Sequence, residues 1–444
     1  MCKISGKGLR CQICTGCGLC PGVTPEGGSM DGLRSKAGLG EICPGRLRVL
    51  TEDALRGEKI PFSRNGKRLA VADIGTTTIA MLLYDLDGGV AERFLEGNPQ
   101  TVYGADVLSR IRAAEEPTAA AQMRKMLQDT LGKGLRKFQK KLSVGEELYL
   151  TVAANTTMTY LFMGWDTAEL GRAPFEAGRL SGAETELEGV RCFVLPGFSA
   201  FVGGDILAGC QACGMAHREE MILLIDLGTN GELLLGNRHG RIACATAAGP
   251  AFEGGANRGI WGADMVRFLA ILRRRGILDE TGLLAEPYFD RGIRVGNVCV
   301  TQGSVRSVQL AKAAIAAGIE ILLEKYGIAE REIDRVVLSG GFGYYLDPAD
   351  AAEIGLLPRG LAERTTAGGN TALTGALQAG RELLSAGWEN VREKLEGYRR
   401  DTMIVNLAME PGFEQRYIDR MELKGRKMNK ETQIKSGNLD NFTK

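Results

Sequence analysis

The chain has 444 residues, of which 44% are hydrophobic, and its formal net charge is +1. This length favours about three folded units, and the near-neutral charge excludes the long-range attraction that nucleic-acid and acidic-membrane proteins use. There are 11 cysteines, no apolar leader and no run of ~18 apolar residues. We therefore expect a cytoplasmic protein whose cysteines bind metal or are buried thiols, rather than disulfides.

The amino-terminal segment 1–44 is rich in cysteine and glycine. Cys11, Cys14, Cys17 and Cys20 are each separated by two residues, and Cys43 follows later. Three thiolates at this spacing can bind one face of a 4Fe-4S cluster, and a further cysteine, often one that precedes proline, completes the set. Cys20 and Cys43 both precede proline; Cys43 is favoured because consecutive close ligands strain a loop. A zinc ribbon would instead need paired knuckles separated by a spacer, so one iron-sulfur cluster is predicted.

The remainder divides at changes in composition. Charged residues without periodicity predict a linker at 45–67 with a short helix at 51–56. We predict a first lobe at 68–217, a second lobe at 218–381, and a charged helix with a disordered tail at 382–444. Hydrophobic patterning predicts strands at 69–72, 79–84, 148–153 and 221–225, and helices at 119–141 and 305–323. Asn155, Thr156 and Thr157, at the end of the third of these strands, are expected to line a cleft.

Two similar strings follow predicted strands, one in each lobe. In each of them an aspartate at the end of the strand, Asp73 or Asp226, precedes a glycine and then hydroxyl or amide side chains. Such an aspartate can hold a metal-bound water, the glycine lets backbone approach a ligand, and hydroxyls donate to phosphate oxygens. The aspartates could instead cap turns, but the repetition favours magnesium and phosphate binding. The predicted phosphate contacts are Gly75, Thr76, Thr77, Thr78, Gly228, Thr229, Asn230 and Gly231.

A third glycine-rich string follows the predicted strand 336–338 and is expected to pack against adenosine. It consists of Gly340, Gly341, Phe342 and Gly343. Glu253 either orients the attacking water or contacts the water shell of the metal, or it is structural.

For each of four further residues the sequence supports two alternative roles. Cys210 and Cys213 are expected to be buried thiols, with a redox role as the alternative. Gln309 and Lys312 lie one helical turn apart and either reach the nucleotide or belong to a solvated helix face.

Taken together, these strings resemble the actin, sugar-kinase and heat-shock-chaperone superfamily of ATPases. The resemblance implies an α/β fold: a two-lobed, actin-like (ribonuclease H-like) ATPase preceded by a small Cys-rich iron-sulfur segment. Within that superfamily, the strings at 98–111, 203–206, 228–232, 248–254 and 309–315 are similar to those of the reductive activators of corrinoid proteins. The similarity covers roughly residues 69–380.

The resemblance implies a function and a set of partners. Such activators use ATP and magnesium to pass one electron from an iron-sulfur cluster to cob(II)amide, regenerating cob(I)amide on the corrinoid protein of a methyltransferase system. A low-potential donor supplies the electron. Many relatives carry a plant-type 2Fe-2S domain or paired 4Fe-4S motifs, and this sequence shows neither, so its donor and corrinoid partner stay open.

Two other functions fit part of the sequence. An activator of a 2-hydroxyacyl-CoA dehydratase also joins this fold to a 4Fe-4S cluster, but holds it by cysteines within the lobes. A small-molecule kinase would leave the cysteines of segment 1–44 unused. The sequence leaves the oligomeric state open, with a homodimer as one option.

Overall fold

The computed structural model describes residues 66–228, 230–249, 251, 262–295 and 298–424. The predicted iron-sulfur segment 1–44 lies outside the described residues, and so does the linker 45–67 apart from its last two residues. The predicted helix at 51–56 and the predicted disordered tail beyond Lys424 lie outside them as well. Within the described residues, no helix is long and apolar enough to cross a membrane.

The first lobe is built on a six-stranded sheet. Its central strand pairs with an antiparallel hairpin partner on one side and with a parallel strand on the other. The strands lie in the order β3-β2-β1-β4-β6-β5. They are β1 (Lys67–Ile74), β2 (Thr78–Tyr84), β3 (Val90–Gly97), β4 (Glu147–Ala154), β5 (Ala183–Leu187) and β6 (Val190–Val194).

The second lobe repeats this plan in a second six-stranded sheet, in the order β13-β12-β7-β8-β9-β14. Its central strand again lies between an antiparallel and a parallel neighbour. Two further strands, β10 and β11, pair only with each other. The strands are β7 (Ile222–Leu227), β8 (Gly231–Asn237), β9 (Gly240–Thr246), β10 (Ile293–Val295), β11 (Val298–Val300), β12 (Arg335–Ser339), β13 (Thr365–Gly369) and β14 (Thr402–Val405). Because β1 and β7 are equivalent, the aspartates near their ends occupy equivalent places.

Twelve α-helices are found in the described residues. The longest two begin with a strong start signal: a proline in the first turn of α2 and a capping box of Thr301 and Ser304 at α7. The helices are α1 (Val107–Ala114), α2 (Pro117–Gln139), α3 (Thr156–Met163), α4 (Gly204–Cys213), α5 (Gly262–Arg274), α6 (Tyr288–Arg291), α7 (Gln302–Tyr326), α8 (Gly340–Gly343), α9 (Pro348–Glu353), α10 (Thr371–Ala386), α11 (Trp388–Arg400) and α12 (Phe413–Asp419).

Three large core clusters place these helices in layers. Helix α2 covers the outer face of the first sheet, and α5 and α7 cover the outer face of the second. A middle cluster combines side chains from both sheets with those of α4 and α10. Alternation along β1 serves two clusters at once, since Leu69 and Val71 face the middle cluster while Ala70 and Ala72 face α2. Helices α4 and α10 are therefore the elements shared by the two lobes.

The strongest sequence patterns predicted the elements correctly. The strands predicted at 69–72, 79–84, 148–153 and 221–225 correspond to β1, β2, β4 and β7, and the predicted helices correspond to α2 and α7. The apolar stripe that predicted α7 is buried along its whole length. Most limits of these elements lie one to three residues beyond the predicted ones, but α2 ends two residues before its predicted limit and β7 begins one residue after its own.

Both interpretations of Gln309 and Lys312 are wrong. Their side chains are 2% and 1% exposed, and neither lines the cavity between the lobes. Gln309 Nε2 donates to the carbonyl oxygens of Thr281 (2.8 Å) and Met421 (3.0 Å), and Lys312 Nζ donates to that of Glu422. The carboxyl-terminal segment thus covers a helix face whose polar residues had suggested solvent or nucleotide.

The carboxyl-terminal part of the chain also completes the second sheet. Strand β14 pairs in parallel with β9, although the predicted second lobe ends at residue 381. This edge strand has only four residues, and Met403 and Ile404 remain partly exposed. A run so short carries too little hydrophobic alternation for the sequence to predict it.

Candidate functional site

The first of the two loops predicted to bind phosphate, here called the first phosphate loop, connects β1 to β2 directly after Asp73. The N–H of Gly75 donates to the carbonyl oxygen of Thr78 (2.9 Å) and closes the turn. Two side chains hold the loop from behind: Asn98 Nδ2 donates to the Gly75 carbonyl oxygen (2.9 Å), and a guanidinium nitrogen of Arg110 donates to that of Thr76 (2.6 Å). Two residues of the string at 98–111 therefore hold this loop in place.

The second phosphate loop follows Asp226 at the equivalent end of β7. The N–H of Gly228 donates to the carbonyl oxygen of Asn230 (2.9 Å). Gly231 begins β8 and faces the core, where an added Cβ would lie 2.7 Å from Thr246 Oγ1. Thr229 lies outside the described residues.

The third glycine string forms α8, which begins where β12 ends. Gly340 has φ +82°, and a Cβ on it would lie 2.7 Å from the carbonyl oxygen of Leu227 and 3.0 Å from Asp226 Oδ1. Only glycine fits there, because the backbone of the third string lies against the second phosphate loop. Gly343 is buried behind Leu338.

A single cavity of 510 Å³ brings the three strings together between the lobes. This volume is within the range of small-molecule sites. Eleven predicted site residues line it: Asp73, Gly75, Thr76, Thr77, Thr78, Asp226, Gly228, Asn230, Gly340, Gly341 and Phe342. Gly231 and Gly343 do not, although they were predicted to contact nucleotide. Glu253, like Cys11, Cys14, Cys17, Cys20 and Cys43, lies outside the described residues.

The cavity also contains polar residues to which the sequence had assigned no role. They are Glu96, Asp205, Glu232, Ser339, Tyr345 and Asn370. Asp205 lies in the first turn of α4, and Glu232 is the second residue of β8. Both belong to strings that carried the family resemblance, and that resemblance is the signal by which the sequence could have identified them. Asn155, predicted to line a cleft, does so and donates through Nδ2 to Thr76 Oγ1 (3.1 Å).

Four carboxyl groups in this cavity repel one another. Burial raises the pKa of Asp73 to about 7, opposed by a hydrogen bond from Asn370 and reinforced by Asp226. Burial and then the charges of Asp226 and Asp73 raise the pKa of Asp205 to about 8. Burial, followed by Asp205 and Asp226, raises the pKa of Glu232 well above its usual value, and burial raises that of Asp226.

The donor set fits a magnesium nucleotide. None of the lining residues that the structure describes is a lysine or an arginine. Bound cations and backbone N–H groups can balance the charge of a triphosphate. No three His, Cys, Asp or Glu side chains in the described ranges converge closely enough to ligate a metal together. Contact of the aspartates with a magnesium ion would therefore be made through metal-bound water, which magnesium tolerates well.

We expect Asp205→Asn to stabilise the nucleotide-free protein clearly more at pH 8 than at pH 5. The Asp205 carboxyl has a pKa of about 8 when folded and 3.8 as its reference. The folded state therefore binds the extra proton between these values, and this group makes the wild type less stable as the pH rises from about 4 to 8. The asparagine stays neutral and can still accept from the N–H of Ile206, as Asp205 does. Thermal unfolding midpoints at the two pH values test this, and equal differences at both would contradict it.

Cys210 and Cys213 are buried thiols, as predicted. They lie on α4 and are 0% and 6% exposed. Burial raises the pKa of Cys210 to about 11 and that of Cys213 to about 12. Because thiolates are the reactive form, these two side chains act here as small core residues.

The comparisons with known proteins agree with this geometry. Residues 69–218 match the family model of the RACo middle region, and residues 220–258 and 256–435 match that of the C-terminal domain of RACo, the ASKHA domain. The chain is 32% identical over 446 residues to the corrinoid activation enzyme RamQ of Eubacterium limosum, covering 84% of this chain and 73% of that protein.

A solved structure is also similar. It is a reductive activator for a corrinoid, iron-sulfur protein, with a TM-score of 0.70 and 29% identity, covering 81% of this chain and 67% of that one. The expected two-lobed, actin-like α/β ATPase fold is confirmed. The chain therefore belongs to the RACo family of reductive activators of corrinoid proteins.

Proposed function

We propose that this protein uses ATP to drive the transfer of one electron to the cob(II)amide of a corrinoid protein, which reduces it to cob(I)amide. One observation carries the proposal: the strand-end aspartates of both lobes meet in one cavity with a glycine string, in a chain whose relatives are corrinoid activators. A site shared by two lobes changes shape when the lobes move. Binding of ATP there can therefore be linked to binding of a partner elsewhere.

We assign the nucleotide contacts from the cavity lining. Gly340, Gly341 and Phe342 would lie beside the adenosine, and Thr76, Thr77 and Asn230 beside the phosphates. Asp73 and Asp226 would hold water molecules of the magnesium ion. A bound magnesium ion supplies positive charge that offsets the phosphate oxygens and the repulsion among the four carboxylates.

One residue of the cavity is suited to orient the water that attacks the phosphate. Asp205 lies in the first turn of α4, and it is close enough to Asp226 and Asp73 that their charges raise the pKa of its carboxyl group. We propose that it orients the water. Of the three roles predicted for Glu253, contact with the water shell of the metal and a structural role are retained.

The electron is proposed to come through the amino-terminal segment. Cys11, Cys14 and Cys17, with either Cys20 or Cys43, would hold one 4Fe-4S cluster, which accepts and releases single electrons. A low-potential donor would reduce it. The closed, ATP-bound lobes would bind the cob(II)amide form of the partner preferentially, because any coupling requires different affinities for the two states.

Anaerobic reduction assays test the proposal. With a low-potential reductant and a cob(II)amide protein, the visible absorbance of cob(I)amide should grow only when ATP and magnesium are present. Cys14→Ser should abolish both the cluster, measured as iron and acid-labile sulfide, and the reduction. Serine at Cys11 or Cys17 should do the same, whereas of Cys20 and Cys43 only one should be essential.

Three outcomes would overturn the assignment. If reduction did not need ATP, the cavity would have no part in the reaction. Zinc instead of iron in the anaerobically purified protein would remove the electron carrier. No response to any corrinoid protein would favour an activator of a 2-hydroxyacyl-CoA dehydratase or a small-molecule kinase.

A further inference from the structure

The amino terminus of helix α10 is hydrogen-bonded directly to Asp73 and, through Ser339, to Asp226. Asn370, its N-cap residue, donates from Nδ2 to Asp73 Oδ2 at 2.7 Å. The next residue, Thr371, pairs its hydroxyl with that of Ser339 at 2.6 Å, and Ser339 is hydrogen-bonded to the Asp226 side chain. Two consecutive residues of one helix are thus connected to two aspartates that belong to different lobes.

Both contacts are held in a defined orientation. Asn370 Oδ1 accepts from the N–H of Leu373 at 2.8 Å, so the amide nitrogen is the atom left to face Asp73. A serine hydroxyl has a single proton, and Ser339 Oγ also lies 3.5 Å from the carbonyl oxygen of Gly369. When Ser339 donates its proton to Asp226, it accepts from Thr371. Asn370 and Thr371 are 6% and 4% exposed, and few alternative partners compete with these bonds.

Helix α10 is also shared between the lobes. It follows β13 of the second sheet, yet its Gly380 lies against Leu69 and Thr151 of the first sheet. Its Gly375 packs directly on the backbone of α4, at Ala208. A change in the angle between the lobes must therefore alter the contact of α10 with at least one of the two aspartates.

We propose that Asn370 and Thr371 are positioning residues that align the Asp73 and Asp226 carboxylates around one metal ion, so that hydrolysis proceeds only at one relative position of the lobes. This inference rests on the proposed ATP site. Neither residue touches the reacting phosphate; each acts through an aspartate.

The test separates alignment from helix capping. Asn370→Ser keeps an N-cap oxygen, because serine is as good a cap as asparagine, but its shorter side chain removes the amide donor. Its kcat for ATP hydrolysis is expected to fall about tenfold, the value of one hydrogen bond to a charged group. Binding of Mn²⁺ in the presence of a non-hydrolysable ATP analogue, followed by electron paramagnetic resonance, should weaken by a similar factor.

A matched control removes the same amide at another cap. Asn406→Ser changes the exposed N-cap residue of the short 3-10 helix Leu407–Met409, and we expect wild-type kcat and Mn²⁺ affinity. For the second contact, Thr371→Val should lower kcat, and Thr371→Ser should recover most of that loss because it retains the hydroxyl.

The outcomes are distinct. Wild-type kcat and Mn²⁺ affinity in Asn370→Ser would overturn the inference, and so would lower activity that comes with a lower unfolding midpoint and unchanged Mn²⁺ affinity. Absence of magnesium-dependent hydrolysis in the wild-type full chain would instead overturn the proposed function on which the inference rests.

Discussion

Asp73→Ala and Asp226→Ala are each expected to lower magnesium-dependent ATP hydrolysis by about 10²- to 10³-fold, the range found when one electrostatic contact of a transition state is removed. Each aspartate lines the cavity at the end of a central strand. The variants should fold normally, since each removes a carboxyl group that burial already disfavours in its charged form. Steady-state phosphate release and thermal unfolding measure the two effects.

Asp129→Ala is the matched control for charge removal. Asp129 is exposed on helix α2 and does not line the cavity. We expect it to hydrolyse ATP as the wild type does. Normal turnover in either Asp73→Ala or Asp226→Ala would contradict the assignment of the phosphate loops.

Gly375→Ala is expected to destabilise the protein by about 2–3 kcal/mol, near the upper range for overpacked sites. A Cβ at this position would overlap the carbonyl oxygen of Ala208, and that atom belongs to helix backbone that cannot rotate away. Helices α4 and α10 would have to separate, and both belong to the core cluster that joins the lobes. Chemical or thermal unfolding of the nucleotide-free protein measures the loss.

The same substitution at another glycine, Gly397→Ala, is expected to raise the stability of the protein instead of lowering it. On helix α11 an added Cβ would meet only an Arg400 guanidinium nitrogen, at 3.8 Å. Alanine should therefore stabilise the helix by about 0.5–1 kcal/mol. If both variants changed stability in the same direction and by similar amounts, the close contact of α4 with α10 would not explain the effect.

The sequence was sufficient for the parts of the site that are contiguous in the chain. A buried strand, an aspartate, a glycine and hydroxyl residues occur within eight positions, so the loops at Asp73 and Asp226 could be predicted without a structure. The packing of Gly340 against the second phosphate loop agrees with the prediction that the third string lines the site. Predicted roles for the residues of segment 1–44 stay predictions.

Contacts between distant parts of the chain were not predictable in the same way. Asn370 and Asp73 are 297 positions apart, and only the crossing of α10 between the lobes brings them together. Gln309 is 112 positions from Met421, the carbonyl group of which it binds. A polar residue on a helix ordinarily faces water, and the local pattern cannot show that a later segment of chain covers it.

The rate of ATP hydrolysis in the presence of different corrinoid states tests the central claim most directly. If the closed lobes bind the cob(II)amide partner preferentially, that partner must in turn favour the closed, nucleotide-bound state by the same factor. We predict that a cob(II)amide protein raises the hydrolysis rate of the full chain, whereas the cob(I)amide or methylated form has little effect. Equal rates with all three forms, or without any corrinoid protein, would contradict it.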